Sequence, residues 1–258
     1  MAKSPTKIKI AVAGVGNCFS ALYQGFFYYK NHLDNITPGL MYKDIGGYGP
    51  TDIEVVAAFD VDKRKVGKPV GKAIFAKPNC ANTFVKKLPN GPTVQMAPVL
   101  DGVSDYMLAQ PADEGFRISK ANPVDVVEVL KKSKADILLN YLPVGSQKAT
   151  EFYARAAIKA KVAFLNCIPV FIASNPKWEA KFVKAGLPLI GDDMRSALGA
   201  SILSQVLQEL AFDRGFSVDF HQQINIGGNT DFNNMMVHSR LESKKKSKEN
   251  VIRAQSEL

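Results

Sequence analysis

Two groups of residues in this chain of 258 residues could do chemistry. The first is the turn Gly14-Val15-Gly16, which separates the apolar run 8–13 from a helix-like segment, Ser20 to Lys30. A strand, a glycine turn and a helix N-terminus place backbone N–H groups and a positive dipole end around one point, where a dinucleotide pyrophosphate binds. Phe19 stands where G-x-G-x-x-G has its third glycine. The alternative, a turn that only joins two elements, therefore stays open.

The second group is the run Ser243-Lys244-Lys245-Lys246-Ser247-Lys248, which follows the turn Gly227-Gly228-Asn229-Thr230-Asp231. If residues 232–250 are helical, Lys244 and Lys248 lie on one face at i, i+4, where like charges repel each other. A phosphorylated substrate would compensate this repulsion, and the Gly-Gly-Asn turn is a candidate anion nest. The alternative is a solvated face of lysines.

Apolar runs alternate with helical segments, which predicts an α/β fold with a doubly wound, Rossmann-like parallel sheet. We expect strands at 8–13, 53–59, 93–99, 137–141 and 162–166, with a polar, glycine-rich insertion at 31–51. Asn122-Pro123 and Asn175-Pro176 are predicted helix starts, and Gly186 is predicted to end the second of these helices.

Ligands in open α/β sheets bind beyond the carboxyl ends of the strands. The candidate residues at these ends are Gly14, Val15, Gly16, Asn17, Cys18, Asp60, Leu142, Pro143, Asn166, Asp192 and Asp193. Asp60 lies 44 residues beyond Gly16, and the insertion accounts for the excess over the usual spacing of about 20. A carboxylate there accepts hydrogen bonds from ribose hydroxyls and favours NAD over NADP. A surface turn aspartate is the alternative.

The sequence changes character near Ser196, where a helix is predicted to run to about Arg214. Residues 217–226 then alternate like a strand of a different, half-exposed sheet. We therefore expect an NAD-binding domain at 1–197 and a partial α+β domain for catalysis or oligomerisation at 198–258.

The net charge of +9 is uneven, with six Lys or Arg against two Glu between Arg240 and Arg253. This basic segment has three interpretations: a solvated tail, a pocket for an anionic ligand, or a nucleic-acid surface. No zinc-finger or RRM motif supports the nucleic-acid surface. The absence of a long apolar run and of a signal segment predicts a cytoplasmic protein without a membrane span. Cys18 and Cys167 are interpreted as small core residues, and no histidine has metal-ligand spacing.

Eight motifs in one order resemble the bacterial and archaeal form of the myo-inositol-1-phosphate synthase (inositol-3-phosphate synthase) family. They are Gly-Val-Gly-Asn-Cys (14–18), Pro-Gly-Leu-Met (38–41), Val-Ala-Ala-Phe-Asp-Val-Asp (56–62), Tyr-Leu-Pro-Val-Gly-Ser (141–146), Pro-Val-Phe-Ile-Ala-Ser (169–174), Gly-Asp-Asp (191–193), Gly-Gly-Asn-x-Asp (227–231) and Leu-Glu-Ser-Lys-Lys-x-Ser-Lys (241–248). The resemblance extends from about Lys7 to Leu258.

The resemblance implies an isomerase that converts D-glucose 6-phosphate to 1D-myo-inositol 3-phosphate and retains NAD as a catalytic cofactor. Carbon 5 is oxidised, carbon 6 attacks carbon 1 in an aldol cyclisation, and the ring ketone is reduced. Lys244 and Lys248 are implied as electrostatic stabilisers and proton carriers. The resemblance also implies that Asp193 and Asp231 orient the lysine side chain, the substrate hydroxyls and the nicotinamide ribose. It implies that Tyr153 and Ser196 contact NAD. The family also implies a homotetramer and, in bacterial and archaeal relatives, an assisting divalent cation.

Members of this family continue beyond the Ser-Lys-x-x-Ser-Lys segment, whereas this chain stops at Leu258. The further stretch completes the substrate domain and supplies more catalytic side chains, so we expect weak activity or none from this polypeptide alone. Two rival hypotheses stay open. One is another NAD-dependent dehydrogenase, acting on a sugar phosphate or an amino acid, and the other is a non-catalytic NAD-binding homologue.

Overall fold

The computed structural model describes residues 7–30, 32, 39–194, 198–242 and 244–246. Six parallel strands form one sheet: β1 (Ile8–Ala13), β2 (Ile53–Asp60), β3 (Val94–Met96), β4 (Ile137–Asn140), β5 (Ala163–Asn166) and β6 (Leu189–Ile190). Their order is β3-β2-β1-β4-β5-β6. Because β1 pairs with both β2 and β4, the chain builds the sheet outward in two directions from β1. The predicted doubly wound parallel sheet is confirmed, and ligands of such sheets bind where the strand order reverses.

Eight helices connect and flank these strands in the described part of the chain. They are α1 (Asn17–Lys30), α2 (Val70–Ala73), α3 (Asp105–Ala109), α4 (Val126–Ser133), α5 (Gln147–Ala160), α6 (Pro176–Ala185), α7 (Ala200–Asp213) and α8 (Thr230–Asn234). A short 3-10 helix covers Pro50–Asp52, and residues 238–242 and 244–246 are also helical. None of the described helices combines the length and the apolar character that a membrane span requires.

The sheet is apolar on both faces, and helices cover each of them. On one face, Phe59 and Phe164 pack in a core with Leu130 of α4 and Phe182 of α6. On the other face, Val12 and Ala58 pack with Phe19 and Tyr23 of α1 and with α2. Since Phe19 is fully buried, the residue in the third glycine position of the fingerprint serves the core.

The predicted helix start at Asn122-Pro123 is wrong, because α4 begins at Val126. The Asp125 carboxylate accepts hydrogen bonds from the backbone N–H groups of Val127 and Glu128 at 2.8 and 3.2 Å. A carboxylate at this position satisfies first-turn donors and favours the positive end of the helix dipole. The starts of α1 and α6 match the prediction more closely: α1 begins three residues early, and Asn175 caps α6 as expected.

The strand predicted over residues 217–226 is also wrong. These residues have no strand conformation, and no described strand lies beside them to bind their backbone groups. Alternation predicts a strand only where a neighbouring strand completes the hydrogen-bond ladder. Their apolar side chains are exposed, with Ile226 at 94%.

Asp62 lies just after β2 and forms a buried ion pair with Arg64. Its carboxylate accepts hydrogen bonds from Arg64 Nε at 2.8 Å and from the Arg117 backbone N–H at 3.0 Å. Burial alone raises the pKa of Asp62, but the Arg64 guanidinium and the backbone N–H groups lower the pKa overall. Because the pKa in the folded state lies below the unfolded value of 3.8, the ion pair stabilises the fold above that pH.

We therefore expect Asp62→Asn to lower the free energy of unfolding by about 3 kcal/mol at pH 7, because Arg64 loses its buried partner. The difference from the wild type should shrink as the pH falls below 3.8, because Asp62 of the unfolded wild type is then protonated, and it should disappear once the pH falls through the lower pKa of the folded state. Urea titrations of both proteins at pH 7 and pH 3 measure this. An equal difference at the two pH values would show that the charge of Asp62 is irrelevant to stability.

Candidate functional site

A cavity of about 350 Å³ opens at the carboxyl edge of the sheet, next to the ends of β1, β2 and β4. The predicted site residues that line it are Gly14, Gly16, Asn17, Cys18, Asp60, Leu142, Pro143, Tyr153, Asp193, Asp231 and Lys244. Two others, Val15 and Asn166, lie outside the lining. Ser196 and Lys248 lie outside the described residues. The glycine turn and Lys244 thus face one space, although they are far apart in sequence.

The glycine turn needs glycine for two different reasons. Gly14 has a φ of +94°, and a Cβ atom there would lie 2.4 Å from the Tyr141 carbonyl oxygen. The turn therefore passes too close to the end of β4 for any side chain. A Cβ atom on Gly16 would meet no atom within 4 Å, so this side of the turn is open to the cavity and leaves room for a ligand.

The start of α1 suits an anion. Helices leave their first N–H groups without intrahelical partners, and α1 has no acidic residue in its first turn. Asn17 Oδ1 instead accepts hydrogen bonds from the backbone N–H groups of Cys80 and Ala81, at 2.7 and 3.0 Å. These bonds hold the loop after α2 against the turn.

The start of α5, which follows the turn after β4, differs in this respect. The Asp101 carboxylate accepts hydrogen bonds from the backbone N–H groups of Lys148 and Ala149, both at 2.8 Å. A negative charge from another part of the chain thus already occupies the positive end of this helix. The anion-binding geometry of a helix start is therefore available at α1 but filled at α5.

Asp60 lines the cavity with a side chain that is only 11% exposed, which excludes the surface-turn alternative. Its carboxylate accepts hydrogen bonds from the backbone N–H groups of Val15, Val61 and Asp62 at 2.7 to 2.9 Å. Lys65 Nζ lies 3.6 Å away. Since a carboxylate has about four acceptor sites, Asp60 chiefly anchors the glycine turn and keeps little capacity for a ribose hydroxyl.

Two further residues that sequence reasoning missed complete this side of the cavity. Lys65 is 2% exposed, and its Nζ donates a hydrogen bond to Asn79 Oδ1 at 2.9 Å. Asn79 Nδ2 in turn donates to the backbone oxygens of Val15 and Ile74. Both residues lie in the Lys- and Pro-rich stretch after β2, where no periodicity indicates their position.

Asn166, at the end of β5, supports the site from behind the cavity. It is fully buried, and its Nδ2 donates to Asp192 Oδ1 at 2.7 Å and to the Val170 oxygen at 2.6 Å. Asp192 also accepts hydrogen bonds from the backbone N–H groups of residues 172–174. This network fixes the segment that carries Asp193 into the cavity.

Lys244 and Asp193 form an ion pair, with Lys244 Nζ 2.7 Å from Asp193 Oδ2. Their side chains are 25% and 17% exposed, so both keep a surface toward the cavity. Asp193 has a φ of +69°, a left-handed backbone conformation that is uncommon for a residue with a side chain. The pair joins the residues after β6 to the helical segment at 244–246.

Asp231, in the first turn of α8, brings a second carboxylate to the same place. The residue is exposed toward the cavity, and the backbone N–H group of Val144 donates a hydrogen bond to its carboxylate. Burial of the carboxyl group raises the pKa of Asp231; Lys244 opposes this effect, and Asp193 adds to it. A carboxyl group in a cleft whose pKa is shifted by desolvation and by charged neighbours is a candidate functional group.

Both cysteines of the cavity are poor nucleophiles. Cys167 is buried as expected, whereas the core interpretation is wrong for Cys18, which is exposed. Loss of hydration to the surrounding protein atoms raises the pKa of Cys18, which still keeps a surface on the cavity, with a contribution from Asp231; burial raises the pKa of Cys167 to about 12. Since the thiolate is the reactive form, neither side chain is activated for covalent chemistry.

A divalent cation does not fit the residues that line this cavity. Across the part of the chain that the structure describes, no group of three or more His, Cys, Asp or Glu could hold a metal ion. We therefore assign no step of the chemistry to a metal.

Comparisons with known proteins agree with the fold and with the motifs. A sequence model of the family described as "Myo-inositol-1-phosphate synthase" matches residues 199–257. The chain is 47% identical to "Inositol-3-phosphate synthase" of Mycolicibacterium smegmatis over 98% of this chain and 68% of that protein. It is 49% identical to the protein of the same name from Corynebacterium glutamicum, over 96% of this chain and 68% of the relative.

Two solved structures are similar to the described fold. "Crystal structure of Ari2" has a TM-score of 0.75 and 42% identity, over 89% of this chain and 67% of that one. A myo-inositol-1-phosphate synthase-related protein from Thermotoga maritima has a TM-score of 0.70 over 93% of this chain and 68% of that one, and at 23% identity it supports the fold alone. On the strength of its relatives in sequence, the chain belongs to the inositol-3-phosphate synthase family.

Proposed function

We propose that this chain is an NAD-dependent isomerase that converts D-glucose 6-phosphate to 1D-myo-inositol 3-phosphate. The observation that carries the proposal is the shared cavity, in which a glycine turn meets an ion pair between Lys244 and Asp193. Relatives named inositol-3-phosphate synthase, 47 to 49% identical and matched over most of this chain, support it. The chain spans about two thirds of the length of these relatives.

NAD fits the glycine end of the cavity, because Gly16 is open where a pyrophosphate needs space. The first-turn N–H groups of α1, at Asn17 and Cys18, would hold the pyrophosphate. Asp60 would lie beside the adenosine ribose but chiefly hold the glycine turn in place, and Leu142, Pro143 and the buried Tyr153 would contact the rest of the cofactor. When bound, NAD supplies the hydride acceptor and donor of the reaction.

The other end of the cavity would bind the sugar phosphate. Enolate and alkoxide forms of the substrate are anionic, so the Lys244 ammonium group stabilises them by its charge. Asp193 holds that ammonium group in place, and Asp231, with its raised pKa, is suited to hold or move a proton at a substrate hydroxyl. Lys248 would add a second positive charge by the family pattern.

The same proposal includes a domain boundary between residues 197 and 198, assembly into a homotetramer and a cytoplasmic location. One face of α7 supports assembly, because Leu203, Val206, Leu207 and Leu210 are each more than half exposed. Exposed apolar side chains that are contiguous on a helix are typical of surfaces that another protein surface covers.

The test is to incubate the purified chain at high concentration with NAD and glucose 6-phosphate. Phosphorus NMR would follow the product, and absorbance would follow NADH. The expected result is inositol phosphate without net formation of NADH. Accumulation of NADH would instead indicate a dehydrogenase, and NAD binding without any product would indicate a non-catalytic homologue.

A further inference from the structure

Asn234, the last residue of α8, has a buried polar atom that the described residues leave unsatisfied. The side chain is 0% exposed and lines the cavity. Its Nδ2 donates a hydrogen bond to the Val144 oxygen at 3.0 Å. No donor among the described residues lies within hydrogen-bond distance of its Oδ1. A buried acceptor without a donor costs about 1 to 3 kcal/mol, so this orientation calls for an explanation.

The orientation of the amide group is determined by its neighbours. If the amide were flipped, Oδ1 would face the Val144 oxygen, and the two acceptors would repel each other. The Val144 oxygen also accepts a hydrogen bond from Arg240 Nη1 at 3.0 Å, so both of its lone pairs have donors. The Val144 N–H group bonds to Asp231, three residues before Asn234. Side chains of α8 therefore bond to both backbone polar groups of Val144.

The described residues do not supply the missing donor, and the cavity that Asn234 lines gives a ligand access to this oxygen. Phosphate groups offer acceptors at neutral pH, and the nearby carboxylates of Asp193 and Asp231 are acceptors as well. Among described side chains, Lys244 also lines the cavity, but its ammonium group makes no hydrogen bond to this oxygen. The proposed ligands carry donors in the hydroxyl groups of the riboses and the sugar and in the amide and amino groups of NAD, and the hydroxyl groups are the more numerous.

We infer that Asn234 is a positioning residue whose Oδ1 accepts a hydrogen bond from a hydroxyl group of a bound ligand. This inference rests on the proposed function, which provides two sources for that hydroxyl: the ribose of the cofactor and the sugar phosphate. In both cases Asn234 would discriminate against analogues that lack this one hydroxyl group, since a site built to accept from a hydroxyl leaves its acceptor unpaired without it.

The experiment measures the affinity of the full chain for ligands that differ by single hydroxyl groups, using isothermal titration calorimetry. One arm compares NAD with analogues that are deoxygenated on the nicotinamide ribose. The other arm compares glucose 6-phosphate with its monodeoxy analogues on NAD-saturated protein. In the wild type, one analogue should bind about 3- to 10-fold more weakly than its parent. In Asn234→Ala, that analogue and its parent should bind equally.

Arg240→Met is the matched control, because it removes a donor to the same Val144 oxygen but no acceptor from the cavity. It should keep the preference for the parent ligand, even if all affinities fall together. If Asn234→Ala still prefers the parent ligands over their analogues as the wild type does, the inference is overturned. It is also overturned if Arg240→Met loses the preference that Asn234→Ala loses, because Asn234 then only supports the loop that contains Val144. If the wild type binds neither NAD nor glucose 6-phosphate, the proposed function itself fails, and the inference fails with it.

Discussion

Replacing Gly14 with alanine is expected to destabilise the protein by about 2 to 5 kcal/mol and to abolish NAD binding. The new Cβ atom would lie 2.4 Å from the Tyr141 carbonyl oxygen, and the residue would have to keep a φ of +94°. Backbone strain of this kind and an overlap with a main-chain atom each cost about 1 to 3 kcal/mol. Neither β1 nor β4 can shift without breaking the ladder between them. Urea denaturation and NAD titration measure the two effects.

Gly16→Ala is the control for this substitution, since its Cβ atom would meet no protein atom. We expect this variant to have the stability of the wild type within about 0.5 kcal/mol. Its affinity for NAD should nevertheless fall at least tenfold, because the methyl group occupies the space where the pyrophosphate would approach the start of α1. If Gly16→Ala binds NAD normally, the proposed position of the cofactor is incorrect.

Replacing Lys244 with methionine should lower the rate of inositol phosphate formation at least about 100-fold. Methionine keeps most of the length of the side chain but removes the charge that stabilises the anionic forms of the substrate, and losses of this size are usual for such groups. Stability should change by no more than about 1 kcal/mol, because the ion pair with Asp193 is partly exposed. Phosphorus NMR gives the rate, and thermal unfolding gives the stability.

Lys245→Met removes the same charge from the adjacent position. Lys245 is exposed and lies outside the lining of the cavity. This variant should therefore retain most of the wild-type rate. If the two variants were equally impaired, the net charge of the lysine run would matter, and the position of Lys244 would not.

The parts of the fold that follow from local pattern could be predicted from the sequence. β1, the glycine turn and the end of β2 at Asp60 were identified because apolar runs and glycine are strong local signals. The helix start at Asn122 was misplaced because Asn-Pro and Asp125 both fit a cap, and contacts with the sheet decide between them. The strand predicted at 217–226 does not form, because alternation contains no information about a partner strand.

The candidate site shows the same limit. Topology indicates which residues gather at the carboxyl ends of the strands, so Asp193 and the glycine turn were found. Lys65, Asn79 and Asn234 could not be found, because their positions depend on loops that contact each other across long sequence separations. Asp60 was located correctly, but only the structure reveals how many of its acceptor sites are already used by backbone N–H groups.

The Asp101 cap on α5 has a consequence for the direction of a bound dinucleotide. Because that helix end is filled, the diphosphate would bind at α1, and the dinucleotide would run from the β2 side to the β4 side. The nicotinamide end would then lie beside Lys244 and Asp193. A carboxylate outside the reacting groups would thereby help to set which end of the cofactor meets the sugar.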